Sequence, residues 1–114
     1  MTDTRTLSED ERKLIEAAIK VRKKAYAPYS KYLVGAAILD HKGRIFTGVN
    51  VENASYGLTM CAERNCVHSA VQAQSFSWQS IAVVTENCGS PCGACRQVLK
   101  EFQTFYYSEK ILPL

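Results

Sequence analysis

Residues 60–102, MCAERNCVHSAVQAQSFSWQSIAVVTENCGSPCGACRQVLKEF, decide the fold, because they spell helix, strand and helix in succession. Over residues 60–73, Ala62, Cys66, Val67, Ala70 and Val71 recur at helical spacing and form one inner face. Ile81, Ala82, Val83 and Val84 make a continuous apolar run, as expected of a central strand covered on both faces. Residues 92–102 return to a helical pattern, with Cys95, Val98, Leu99 and Phe102 inward. Each helix therefore begins at a cysteine, and one buried strand lies between them.

Working outward, Ser8 and Glu11 have the spacing of a capping box, with Ser8 as N-cap. Leu14, Ala18, Val21 and Ala25 then supply an apolar helical stripe that Pro28 ends. Residues 32–39 are apolar and short enough for a buried strand. Asp40, His41, Lys42 and Gly43 form a turn, and residues 45–49 return as the second arm of a hairpin. The order α, β, β, α, β, α predicts an α/β fold: a three-layer α-β-α sandwich. At 114 residues this is one domain, 1–114, with a modest core.

Composition narrows the partners. A formal net charge of +3 is mild. Arg12, Lys13, Lys20, Arg22, Lys23 and Lys24 alternate with Glu9, Asp10, Glu11 and Glu16, which reads as a solvated helix face and not a nucleic-acid surface. No stretch approaches the roughly 20 apolar residues of a membrane span. Residues 1–12 are polar and lack the pattern of a secretory signal. Five cysteines, an odd number, then point to reduced thiols and a cytoplasmic protein.

Cys61, Cys92 and Cys95 are three thiols able to converge on one metal, with the carboxylate of Glu63 beside them. Structural zinc sites close four positions with protein ligands, whereas catalytic sites use three and leave the fourth to water. Three thiols and a nearby glutamate thus read as a working zinc site. Glu63 follows Cys61 by two residues, so on a helix it points to a different side and suits proton handling better than metal holding. Helix N-termini at Cys61 and Cys92 favour thiolates. Three thiolates leave an excess negative charge, which Arg64 and Arg96 are placed to offset. Asn50 and Glu52 flank Val51 at the end of the second strand and face one side by period-two alternation. An amide and a carboxylate together can hold a sugar hydroxyl, although both also suit a polar strand exit. Cys66 reads as a buried small hydrophobe. Cys88 could compete as a fourth ligand, His68 is two turns beyond Cys61, His41 lies in a turn, and Tyr106 and Tyr107 are strand residues.

Cys-Ala-Glu followed by Pro-Cys-Gly-Ala-Cys-Arg-Gln resembles the three-cysteine signature of small zinc-dependent cytidine deaminases that act on free nucleosides. Tyr26-Ala27-Pro28-Tyr29-Ser30-Lys31, Val34-Gly35-Ala36-Ala37 and Asn50-Val51-Glu52-Asn53-Ala54-Ser55-Tyr56 extend the likeness over residues 10–103. The resemblance implies a mixed central sheet, one Zn²⁺ per chain, and hydrolysis of cytidine or 2′-deoxycytidine to uridine or 2′-deoxyuridine with release of ammonia. In that chemistry Glu63 carries protons from water to ring N3 and to the departing amine. The resemblance also implies that Asn50 and Glu52 hold the ribose 3′-hydroxyl. Tyr32 stands where the family commonly has a phenylalanine near the base, Ala62 joins the substrate-binding set, and arginines such as Arg64 and Arg96 bond the ligand sulfurs. It further implies a homotetramer, a free nucleoside as partner, and no role for nucleic acid or membrane.

The family order continues past the second cysteine helix with two strands and a segment ending in phenylalanine. Here Phe105, Tyr106 and Tyr107 begin the fourth strand, and Ile111-Leu112-Pro113-Leu114 follows almost at once. The last strands read as short or missing, either in a shortened protein or because stretches are omitted. Two competing readings stay open: a degenerate zinc-binding relative without activity, and a deaminase of a related cytosine compound. A redox pair at Cys92 and Cys95 leaves Cys61 and Glu63 unexplained.

Overall fold

The computed structural model describes residues 9–86 and, as strand backbone, residues 105–110. Its elements run α1 (Glu9–Arg22), β1 (Gly35–Asp40), β2 (Ile45–Val49), a 3₁₀ turn (Tyr56–Leu58), α2 (Ala62–Gln72), β3 (Trp78–Thr85) and β4 (Phe105–Lys110). The sheet order is β2-β1-β3-β4. β1 pairs antiparallel with both β2 and β3, and β4 pairs parallel with β3, so the sheet is mixed.

Period-two alternation along the central strands builds two cores, one on each face. Ala36, Ile38, Ile81 and Val83 pack with Ala62, Cys66, Val67 and Ala70 of α2. Their alternates Ala37, Leu39, Ala82 and Val84 pack with Leu14, Ile15 and Ala18 of α1. The result is helix, sheet, helix in three layers. The expected helix at residues 92–102 lies outside the described residues.

Two glycines set how closely the layers approach. A Cβ at Gly48 would stand 2.3 Å from Cys66 N and 2.7 Å from Ala62 O, so the α2 backbone rests directly on β2. A Cβ at Gly35 would meet Ala18 O at 2.2 Å, which does the same for α1 on β1.

Several boundaries differ from the sequence reading, each for a local reason. α1 ends at Arg22, well before Pro28, because Lys24 N and Ala25 N bond back to Val21 O (2.9 Å) and Arg22 O (3.1 Å) in a tightened last turn. β1 begins at Gly35 and not at Tyr32, because side chains take the backbone groups just before it. Asn50 Oδ1 accepts from Val34 N at 2.9 Å, and Arg22 Nε donates to Leu33 O at 2.8 Å. That bond, with an ion pair to Glu86 at 3.6 Å, draws Arg22 out of the solvated face while Arg12, Lys13, Lys20, Lys23 and Lys24 stay exposed. α2 starts one residue after Cys61, which is extended (φ −70°, ψ 154°) as the N-cap. β3 is longer than its apolar run and begins at buried Trp78.

Gly48→Ala tests the close approach. The new methyl meets backbone atoms that cannot rotate away, so unfolding stability should fall by about 3 kcal/mol. Denaturant unfolding measures it, and a loss below about 0.5 kcal/mol would show that α2 can lift from β2 at little cost.

Candidate functional site

The site is assembled around one extended residue. Val51 bridges Tyr26 in parallel and Met60 antiparallel. Val51 and Met60 exchange both backbone bonds at 2.9 Å, while Tyr26 N donates to Asn50 O (3.0 Å) and Glu52 N donates to Tyr26 O (2.9 Å). The strand exit carrying Asn50 and Glu52 is thereby fixed beside the residue that leads into Cys61. Asn65 Nδ2 adds a bond to Val49 O at 2.7 Å, tying the second turn of α2 to the end of β2.

Cys61 is a half-buried thiol at the α2 N-cap, and Arg64 Nη2 lies 3.6 Å from its Sγ. A helix N-terminus and a guanidinium both favour the thiolate, the form that takes a soft divalent metal. Glu63 is buried, 6% exposed, in the first turn of the same helix, next to fully buried Ala62. Cys92, Cys95, Arg96 and Cys88 lie outside the described residues. Cys66 is buried and donates to Phe46 O at 3.0 Å, and burial pushes its thiol well above the ordinary range. His68 and His41 are exposed.

Asn50 is buried, and both ends of its amide are engaged: Oδ1 accepts from Val34 N and Nδ2 donates to Tyr32 O, each at 2.9 Å. Each end keeps capacity for one further bond. Glu52 Oε1 accepts from Tyr29 N (3.0 Å) and Ser30 N (3.1 Å), and its Oε2 accepts from the Ser30 hydroxyl. The Ser30 hydroxyl is the largest influence lowering the Glu52 pKa, against the opposing effect of burial and with help from the two N–H bonds and nearby Lys31. Ser30 Oγ accepts from Tyr32 N at 3.0 Å, so half-buried Tyr32 is reached from both Asn50 and Ser30.

Asn50 and Glu52 thus do more than face one side; they shape the 29–34 segment. Sequence reading assigned no role to Ser30. Its signal was position, since it stands two residues past Pro28 in a turn-forming stretch and two before the aromatic at 32. Asn50→Asp should keep the bond from Val34 N but set a carboxylate against Tyr32 O, costing about 2 kcal/mol of stability. Thermal unfolding reads the loss, and a variant as stable as the parent would remove the amide from the frame.

A model of the cytidine and deoxycytidylate deaminase zinc-binding region matches residues 8–108. A cytidine deaminase of Sporosarcina psychrophila is 50% identical over 95 residues, which covers 82% of this chain and 70% of that protein. The cytidine deaminase of Halalkalibacterium halodurans is 49% identical over 94 residues, covering 81% of this chain and 71% of that one. The crystal structure of cytidine deaminase from Burkholderia pseudomallei superposes with a TM-score of 0.77 at 51% identity, over 84% of this chain and 77% of that chain. With a cysteine at the N-cap of α2, the buried glutamate and the matched region in agreement, the chain belongs to the zinc-binding cytidine and deoxycytidylate deaminase family.

Proposed function

We propose that the chain catalyses hydrolytic deamination of free cytidine and 2′-deoxycytidine to uridine and 2′-deoxyuridine, a step of pyrimidine salvage. The observation that carries the reading is the start of α2, where Cys61 stands at the N-cap position and Glu63 is buried in the first turn. Cys61, Cys92 and Cys95 would hold one Zn²⁺, which when bound supplies Lewis acidity and an acidified water. Arg64, and Arg96 by its position after Cys95, offset the charge of the thiolates.

Glu63 does the proton work. Its carboxylate takes a proton from the water that bonds to C4 and gives it to ring N3. It then carries the proton of the new C4 hydroxyl to the amine, so that the C4–N bond breaks, C4=O forms and ammonia leaves. Burial keeps these protons between Glu63 and the substrate. Ala62 is small enough to pack under the base. Tyr32 flanks the base, and Asn50 and Glu52 hold the sugar 3′-hydroxyl through the bonding capacity their scaffold contacts leave free.

The protein acts in the cytoplasm, where thiols stay reduced, on a free nucleoside and without nucleic acid or membrane. Among the described residues no helix is long and apolar enough to cross a membrane. It assembles as a homotetramer. Exposed Tyr26, Tyr29, Val51 and Leu58, all on segments bordering the site, supply apolar surface for association.

Glu63→Gln keeps the shape of the side chain and removes its proton chemistry. It should bind about one zinc per chain, as the parent does, and lose about 10⁴-fold in turnover. Elemental analysis and the absorbance change of cytidine turning into uridine test this together; retention of most activity would reassign the proton carrier. Cys61→Ser should lose the metal, and full retention would remove Cys61 from the ligand set. A parent protein that holds zinc yet leaves cytidine unchanged would favour the non-catalytic relative.

Light scattering at micromolar concentration should give the mass of four chains. An active monomer would confine the site to a single chain.

A further inference from the structure

Glu52 draws three of its hydrogen bonds from one two-residue segment. Tyr29 N and Ser30 N bond Oε1, and the Ser30 hydroxyl bonds Oε2. An ionised carboxylate offers about four lone-pair sites, so among the described residues one remains, on the oxygen that faces Ser30. The Ser30 hydroxyl spends its own hydrogen on Glu52, and its oxygen accepts from Tyr32 N. One exposed hydroxyl therefore joins the carboxylate to the backbone of Tyr32. The segment is held in an unusual turn: Lys31 takes φ +62°, and its N–H bonds back to Ala27 O at 3.0 Å. A non-glycine residue in that conformation persists only where its surroundings fix it.

We infer that Ser30 is a positioning residue for the nucleoside, its hydroxyl aiming Glu52 at the sugar 3′-hydroxyl while setting the Tyr32 backbone beside the base. This rests on Glu52 holding the sugar, as proposed above. Without the hydroxyl, Oε2 loses its one side-chain donor among the described residues and can rotate toward solvent. The sugar hydroxyl then meets a carboxylate in several orientations, and Tyr32 N loses its acceptor. The lowered Glu52 pKa is consistent with this, since Ser30 is its largest cause. The chemistry at the α2 end contains no part of this bridge, so binding and turnover should separate.

The test compares cytidine with 3′-deoxycytidine in the zinc-loaded parent, Ser30→Ala, Ser30→Thr and Glu52→Gln. Ser30→Ala should raise KM for cytidine about tenfold with kcat altered about twofold at most. Its preference for cytidine over 3′-deoxycytidine should shrink about tenfold, because the aim of Glu52 matters only to a substrate carrying the hydroxyl. Ser30→Thr, which keeps the hydroxyl, should restore both. The proposal is overturned if Ser30→Ala weakens both substrates equally, if it keeps the parent's preference, or if Ser30→Thr does not rescue. A parent that ignores the 3′-hydroxyl and behaves as Glu52→Gln does would instead locate the failure in the sugar role of Glu52, and would overturn the proposal with it. Calorimetric affinities for uridine and 3′-deoxyuridine read the same coupling without turnover, so an inactive protein still decides the matter.

Discussion

The contact of α2 with β2 at Gly48 is the constraint on which the site depends. Only a residue without a side chain lets Cys66 N and Ala62 O come so near the strand. That distance puts the first turn of α2 at the level of Val49, where Asn65 Nδ2 can reach the strand carbonyl. It also sets the length of the connection back to Met60, which pairs with Val51. Cys61 and Glu63 on one side, and Asn50 and Glu52 on the other, thus share a frame fixed by backbone contact. A helix packed on large side chains would sit some ångströms further out and carry the thiol with it.

The frame is completed by side chains that stand in for backbone partners. Between Tyr29 and Val34 the chain lacks ladder bonds, yet Tyr29 N, Ser30 N, Tyr32 N and Val34 N bond Glu52, Ser30 or Asn50, and Tyr32 O and Leu33 O accept from Asn50 and Arg22. Residues 29–31 are exposed and 32–34 half-buried, and most of the partners of this backbone are the polar residues at the strand exit. Asn50 and Glu52 therefore couple the shape of the loop to the groups offered to a ligand. A change at either residue alters both at once, which is why the more informative probe of the loop is Ser30.

What the sequence made legible follows from the range of the forces involved. The inner face of α2 and the bounds of β2 were readable because hydrophobic periodicity is local. The placement of Cys61 at the head of α2 and of Glu63 in its first turn was readable because it follows from the same local helical pattern. The end of α1 was not, since a tightened last turn sets it without marking the hydrophobic pattern. The start of β1 was not either, since Arg22 reaching Leu33 and Asn50 reaching Val34 set it across 11 and 16 residues. Ser30 went unassigned for the same reason, as its partner Glu52 is 22 residues away. Arg22 looked like one more cation on a charged face; its partners Leu33 O and Glu86 reach α1 only through the fold.

Two carboxylates with lowered pKa values show how structure and function separate within one fold. Asp40, 1% exposed at the far end of β1, accepts from Lys42 N, Arg44 N, Arg44 Nε and Ser75 Oγ. Burial alone would raise its pKa, but these bonds outweigh that and hold it at about 2. Because the folded value is depressed, the stability it adds is complete above the unfolded value of about 3.9 and fades as pH falls toward 2. With about four lone-pair sites filled by four donors, Asp40 has nothing left to offer and serves to tie the hairpin to Ser75 in the connection after α2. Glu52 is kept ionised by a similar set of bonds, yet it is half-buried and, among the described residues, one donor short of Asp40. A hydrogen-bonded carboxylate at a surface with an acceptor position to spare can take a further hydroxyl donor, and this capacity, more than any shift in its pKa, separates Glu52 from Asp40.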